Sequence, residues 1–275
     1  MKLQAAILDW AGTVIDFGSR APVIAMDSVF RGEDLPMGEN LIRRYMGMAK
    51  REHVTAILSE PETAKRWGDA KGSAWSEHDV DRMMVALEPA MANAASLCAT
   101  LIPGASAAVS ALRARGLRIG STTGYTRTMM ADILTTARDQ GYDPDSVVCA
   151  GETAQGRPAP LMIWKCLVEL GVWPASAAVV ADDAPVGIEA GRYAGCWCVG
   201  LAGSGNGVGL TEDAFMQLSQ DERRTRMAPV VEAFVTAGAD FVVATITDLP
   251  GVAAEIEARM AAGGKPHERP CDVWV

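Results

Sequence analysis

The stretch Leu3-Gln-Ala-Ala-Ile-Leu-Asp-Trp-Ala-Gly-Thr-Val-Ile-Asp16 decides how the chain is read. Ala5-Ala6-Ile7-Leu8 is a short apolar run with the length of a buried strand. It stops at Asp9, and a small, flexible Ala11-Gly12-Thr13 follows. Parallel α/β sheets bind their ligands beyond the carboxyl ends of their strands, so a carboxylate at this point is placed for chemistry. Gly12 lets backbone N–H groups close in on an anion. The same residues also suit a strand-ending aspartate that caps the next turn, and three later stretches decide between the two.

Working outward, 275 residues leave room for one large α/β domain or for a core with a smaller partner. Hydrophobic content of 49% and charged content of 21% are those of a soluble globule. A net charge of −9 argues against a nucleic-acid surface, which rests on clustered cations. No uncharged apolar stretch reaches membrane-spanning length, and Asp9 interrupts the first apolar run too early for a signal peptide. The six cysteines, at 98, 149, 166, 196, 198 and 271, show no metal-ligand spacing. They suit buried, reduced thiols of a cytoplasmic protein. Alternation along a strand would point both thiols of Cys196-Trp-Cys198 the same way into a core.

After the first strand the texture changes. Residues 22 to about 100 show helical periodicity over 23–31, 39–58, 61–68 and 76–98. From Pro103-Gly104 onward, apolar runs at 117–121, 147–150, 177–181, 196–200 and 241–244 alternate with helical patterns near 104–115, 126–140, 159–170, 186–194 and 228–238. That alternation predicts an α/β fold, a doubly wound parallel sheet with a mostly helical cap inserted after the first strand. The expected boundaries are 1–20 with 100–263 for the core, 21–99 for the cap and 264–275 for an irregular tail.

Three further stretches bring polar residues to the ends of predicted strands. In Gly120-Ser-Thr-Thr-Gly-Tyr-Thr126, hydroxyls and a glycine bend stand before a helix, offering donors to an anion or simple N-caps. In Gly156-Arg157-Pro158, the proline suits a first helical turn and leaves Arg157 at the sheet edge, on a site or in solvent. Ala181-Asp182-Asp183 ends an apolar run on two adjacent acids, which need a cation to offset their repulsion. Together with Asp9, these residues specify phosphoryl transfer: an aspartate nucleophile, Mg²⁺ to neutralise charge, and threonine and arginine to hold the oxygens in line.

The order of these motifs resembles that of the haloacid dehalogenase superfamily. The resemblance implies an aspartyl-phosphate formed on Asp9, with Mg²⁺ bound by Asp9, the backbone carbonyl of Ala11 and one of the acidic pair, Asp183 ahead of Asp182. Phosphatases of that superfamily usually carry a second aspartate where this chain has Ala11. A leaving alkoxide would lack its acid here.

The insert offers a second reactive group. Helical spacing across 39–58 puts Met46, Lys50 and His53 on one side, among apolar neighbours. Either Lys50 snorkels from a core-facing helix, or desolvation lowers its pKa toward the neutral amine that an imine-forming lysine needs. Asp9-Trp-Ala-Gly-Thr13, Met46-Gly-Met-Ala-Lys50 with His53, Gly120 to Arg127, Ala154-Gln-Gly-Arg-Pro158, Asp182-Asp183 and Gly203-Ser-Gly-Asn206 together resemble the phosphonoacetaldehyde hydrolase (phosphonatase) family. That resemblance runs from about residue 3 to about 250. It implies hydrolysis of phosphonoacetaldehyde through a Schiff base on Lys50, with His53 as a water-mediated proton carrier. It further implies substrate contacts from Ala11, Gly12, Ser19, Met46, Thr122, Thr123, Gly124, Tyr125 and Arg157, and a homodimer paired through the cap helices. An enamine leaving group needs no acid at oxygen, which accounts for Ala11. Ser19, Ala184 and Gly187 depart from residues frequent at those positions, and weaker Mg²⁺ binding is the expected consequence. Two other readings remain open from sequence: a hydrolase of another small phosphorylated substrate, and an inactive relative that binds a partner.

Overall fold

The computed structural model describes residues 2–46 and 50–275. By its contacts the chain divides into two compact units, 1–19 with 99–275, and 20–98.

The larger unit holds a seven-stranded, all-parallel sheet, the doubly wound architecture expected. Its strands are β1 (Ala5–Leu8), β2 (Arg118–Thr126), β3 (Ser146–Ala150), β4 (Ala178–Asp182), β5 (Trp197–Leu201), β6 (Phe241–Val243) and β7 (Asp272–Trp274), in the order β3-β2-β1-β4-β5-β6-β7. The order reverses beside β1, so the chain ends of β1 and β4 meet at the switch point where such sheets take their ligands. Register sets Leu8 of β1 beside Ser121 and Ala181. Asp9 and Asp182 therefore leave the sheet side by side. All four residues of β1 are buried, as are all five of β4 and of β5. Strands covered on both faces read as continuous apolar runs, which is why these three are visible in the sequence.

Two expectations change. The polar run after residue 121 is not a loop: β2 continues to Thr126, with a register shift against β3 between Thr123 and Thr126. The tail at 264–275 is not wholly irregular, because β7 pairs in parallel with β6 through Asp272, Val273 and Trp274.

Among the described residues this unit has seven α-helices, of which five answer to the expected patterns while α10 and α12 were not anticipated. They are numbered α6–α12, after the five of the insert: α6 (Ala105–Ala114), α7 (Arg127–Asp139), α8 (Leu161–Leu170), α9 (Pro185–Ala194), α10 (Glu212–Met216), α11 (Gln220–Ala237) and α12 (Leu249–Ala261). The buried side of α8, from Met162 to Leu170, packs with Ala5, Ile7, Val148 and Val180 of the sheet. Full burial of each such aliphatic side chain contributes about 1.5–3 kcal/mol. Thr126 caps α7 by accepting from the Met129 N–H, so its hydroxyl serves the helix.

The regular elements among the smaller unit's described residues are all helices: α1 (Ala21–Gly32), α2 (Glu39–Arg44), α3 (Lys50–Ser59), α4 (Pro61–Lys71) and α5 (Glu77–Leu97). Here α1 packs along α5, and α5 opens with a reciprocal cap between Ser76 and Asp79. The single helix expected over 39–58 is not formed. Tyr45 leaves helical geometry at φ −106°, ψ 11°, and Met46 lies in the turn that follows. Residues 47–49 of the Met46–Lys50 motif lie outside the described residues. Among the described residues, no helix is long and apolar enough to cross a membrane.

Candidate active site

Asp9 follows β1 and is fixed to its neighbour by its own N–H, which donates to the Ala181 carbonyl at 3.0 Å. The chain then turns tightly: the Trp10 carbonyl accepts from the N–H groups of Thr13, Val14 and Ile15 at 3.2, 2.8 and 3.0 Å. Gly12 sits at φ +76°, and a Cβ there would stand 2.3 Å from the Asp183 Oδ2. Only glycine satisfies both the left-handed backbone and the approach of that carboxylate. Ser19, expected as a substrate contact, is buried at the end of this loop with φ +49°, and its N–H donates to the Asp16 carbonyl at 2.8 Å.

Arg157 ties the expected motifs together. One of its terminal nitrogens donates to Asp9 Oδ1 at 2.6 Å, to the Thr122 carbonyl at 3.0 Å and to Thr122 Oγ1 at 3.1 Å. The other stands 3.1 Å from Asp182 Oδ2. Asp182 Oδ1 also accepts from the Ala184 N–H at 2.9 Å, and Asp183 Oδ2 accepts from the Asn206 N–H at 2.9 Å. Oxygens of Asp9, Asp182 and Asp183, all buried, lie within 4.8 Å of one another. Thr123 and Tyr125 are buried in the same stretch, but the Thr123 hydroxyl accepts from the Tyr125 N–H at 3.1 Å, a bond within its own turn, while Gly124 is exposed.

The electrostatics follow from burial. Loss of solvent raises the pKa of Asp9, which Arg157 only partly offsets. Burial, then the charge of Asp9 against the pull of Arg157, lifts Asp182 to about 7. Burial and the two neighbouring acids raise Asp183 well above the carboxylate range. Arg157 loses solvation too, but Asp182 and Asp9 more than compensate and keep it charged. With every group ionised, three carboxylates and one guanidinium leave a formal charge of −2 in a buried cluster of oxygen donors. The fit is to a hard divalent cation. Gly187 completes the shape: a Cβ there would lie 1.9 Å from Asp182 Oδ2, so the carboxylate occupies the space of a side chain at 187.

In the insert, Lys50 is the first residue of α3 and is half-buried. Desolvation lowers its pKa. His53, one turn on, is fully buried, with Nε2 at 2.8 Å from the Ile42 carbonyl. Nε2 therefore carries the proton, and Nδ1 is left as a buried acceptor with no hydrogen-bond partner among the described residues. Burial and the charge of Lys50 hold the His53 pKa down to about 4. Met46 does not share their helix.

Sequence reasoning assigned no role to Ser204, Asn206 or Tyr142. Ser204 Oγ donates to the Gly12 carbonyl at 2.7 Å, and its own carbonyl accepts from the Gly18 N–H at 2.7 Å. The run Gly203-Ser-Gly-Asn206 thus braces the Asp9 loop and Asp183 together. In the sequence it stood out as a motif of the resemblance and by its glycines, with no sign of these contacts. Tyr142 meets Trp10 edge-on, ring centres 5.1 Å apart, a contact no spacing in the sequence announces.

Comparison with known proteins agrees with this geometry. A family model for haloacid dehalogenase-like hydrolases matches residues 3–195. The phosphonoacetaldehyde hydrolase of Paraburkholderia xenovorans is 43% identical over 96% of this chain and 99% of its own. That of Hahella chejuensis is 38% identical over 96% and 90%. The crystal structure of a phosphonoacetaldehyde hydrolase-like protein from Oleispira antarctica superposes with a TM-score of 0.89 at 38% identity, covering 97% of this chain and 96% of that one. The chain belongs to the haloacid dehalogenase-like hydrolases and, among them, to the phosphonoacetaldehyde hydrolase family.

Proposed function

We propose that the protein hydrolyses the carbon–phosphorus bond of phosphonoacetaldehyde, giving acetaldehyde and phosphate. The observation that carries this reading is the pairing of two functions in one chain. The core has a buried aspartate held by Arg157 beside two further acids, with Ala11 where an alkoxide-releasing enzyme needs an acid. The insert has a lysine whose pKa is lowered by burial.

In the proposed reaction the neutral Lys50 amine adds to the aldehyde, and loss of water gives a protonated imine. A carboxylate oxygen of Asp9 attacks phosphorus. The carbon–phosphorus bond breaks, and its electron pair flows into the C=N⁺ unit, so the departing group is an enamine. Water attacks the aspartyl phosphate and releases phosphate, restoring Asp9. Protonation of the enamine carbon and hydrolysis of the resulting imine release acetaldehyde and free Lys50. Arg157 and Thr122 hold the phosphonate oxygens, with Gly12, Ser19, Thr123, Gly124, Tyr125 and Met46 as further substrate contacts. His53 Nδ1, an acceptor without a partner among the described residues, takes and returns the proton of imine formation through water.

Mg²⁺ is the cation proposed for Asp9, Asp183, Asp182 and the Ala11 carbonyl, where it supplies charge neutralisation at the phosphoryl group. The protein is further proposed to work in the cytoplasm, in keeping with six free thiols, as a homodimer paired through the helices of the insert.

A coupled assay for acetaldehyde and phosphate tests the reading. Equal yields of both from phosphonoacetaldehyde are expected, with Asp9→Ala and Lys50→Ala each inactive. Phosphate release from phosphate esters that survives Lys50→Ala would instead indicate a phosphatase in which Lys50 is only a cation. No release from any substrate would indicate an inactive, partner-binding relative.

A further inference from the structure

The amino-terminal ends of β5 and β6 hold a second constellation that the reaction does not use. Cys198 is the second residue of β5, Asp240 immediately precedes β6, and His267 lies in the tail before β7. One donor atom from each lies within 4.8 Å of the others. The Asp240 carboxylate is buried and accepts from two backbone N–H groups, Cys198 at 2.8 Å and His267 at 2.6 Å, so the fold itself fixes the three residues around it.

The imidazole is the telling group. His267 Nδ1 stands 3.3 Å from Asp240 Oδ2, yet neither ring nitrogen makes a hydrogen bond among the described residues, although both are buried. Its backbone is also in the left-handed region, φ +62°, a conformation that persists in a non-glycine residue only where the surroundings enforce it. Nitrogen and oxygen ligands about 2.0–2.1 Å from one tetrahedral ion stand about 3.3 Å apart. A cavity of about 360 Å³, walled by His267, Cys271, Arg192 and Arg269 among others, lies beside the cluster.

We propose that Cys198 Sγ, the Asp240 carboxylate and a ring nitrogen of His267 form a site for a zinc-class divalent cation that pins the tail to β5 and β6. A thiolate, an imidazole and a carboxylate are the donor set of that class, whereas the all-oxygen cluster around Asp9 suits a harder ion. On binding, the Cys198 thiol gives its proton to solvent and the sulfur ligates as thiolate. Burial first, and the Asp240 charge second, hold that thiol protonated, while Arg192 favours the thiolate. Affinity therefore rises with pH. The positive charges of Arg192 and Arg269 at the cavity set a limit on affinity.

The full-length protein, stripped with chelator and kept in excess Mg²⁺ to fill the acidic cluster, is titrated with Co²⁺. One Co²⁺ per chain is expected, with a thiolate-to-cobalt charge-transfer band and slower proteolysis of the tail. Cys198→Ser removes the band, and His267→Ala weakens binding by at least about 100-fold, the upper end of what loss of a mere outer-shell partner costs. Should Cys198→Ser fail to fold, His267→Ala, a change in the tail, decides alone. Absence of the band in the wild type, its persistence in Cys198→Ser, or unchanged affinity in His267→Ala overturns the proposal.

Discussion

Replacing Gly187 with alanine sets two effects of opposite sign against each other. The residue lies in the first turn of α9, where alanine in place of glycine ordinarily stabilises a helix by up to about 1 kcal/mol. Here the new Cβ would stand 1.9, 2.0 and 2.5 Å from three atoms of the Asp182 carboxylate, where ordinary contact begins at 3.4 Å. The carboxylate must therefore move, and it gives up the 2.9 Å bond from the Ala184 N–H and the 3.1 Å pairing with Arg157. Hydrogen bonds to charged groups contribute about 1.5–3 kcal/mol each, so the net expectation is a loss of about 2–5 kcal/mol. Urea unfolding without divalent cation, compared between wild type and Gly187→Ala, reads that loss as a lower midpoint at unchanged slope. Weaker Mg²⁺ binding should accompany it. A variant as stable as the wild type, or more so, would refute the reasoning, because helix propensity would then have prevailed and Asp182 would not be packed as described.

Arg157→Ala removes the cation that faces both Asp9 and Asp182, and leaving buried charge uncompensated costs about 3–5 kcal/mol. Urea unfolding should show that loss without Mg²⁺ and partial recovery with it; equal loss in both conditions would count against cation binding at the cluster. His53 gives a pH signature. Its folded pKa of about 4 is below the ordinary 6.5, so the neutral ring contributes stability that is whole above 6.5 and is lost as pH falls through 4. Asp182, raised to about 7, acts in the opposite sense over the same window. The difference between wild type and His53→Gln, followed by urea midpoints from pH 7.5 to 4, isolates the histidine and should shrink as pH falls.

The sheet was legible where burial on both faces writes a continuous apolar run, as in Ala5-Ala6-Ile7-Leu8 and Ala178-Val-Val-Ala181. It was illegible where tertiary context overrides local chemistry. The hydroxyl-rich end of β2 reads as a loop, but pairing with β3 holds it extended to Thr126. β7 is three residues at a sheet edge, too short for any period to show. The early start of α11 had a signal that could have been read, since Ser219 and Glu222 form a reciprocal cap. The turn at Tyr45 and Met46 had none, because 39–58 keeps helical spacing across it. Asp9, Asp182 and Asp183 were visible as acids ending apolar runs, Thr122 as part of a hydroxyl stretch before a helix, and Arg157 as the residue ahead of a helix-opening proline. The bracing contacts of Ser204 and Asn206, seen in the sequence only as part of a motif of the resemblance, and the cluster of Cys198, Asp240 and His267 were not, because contacts between distant segments leave no spacing to read.

The two-residue chemistry stands on whether Lys50 carries the aldehyde carbon while the phosphoryl group is released. Borohydride added during turnover of phosphonoacetaldehyde should inactivate the protein irreversibly, and only when that substrate is present. Peptide mass mapping should then place a reduced two-carbon adduct on Lys50. Full activity after borohydride treatment in the presence of substrate, or an adduct on any lysine other than Lys50, contradicts the account.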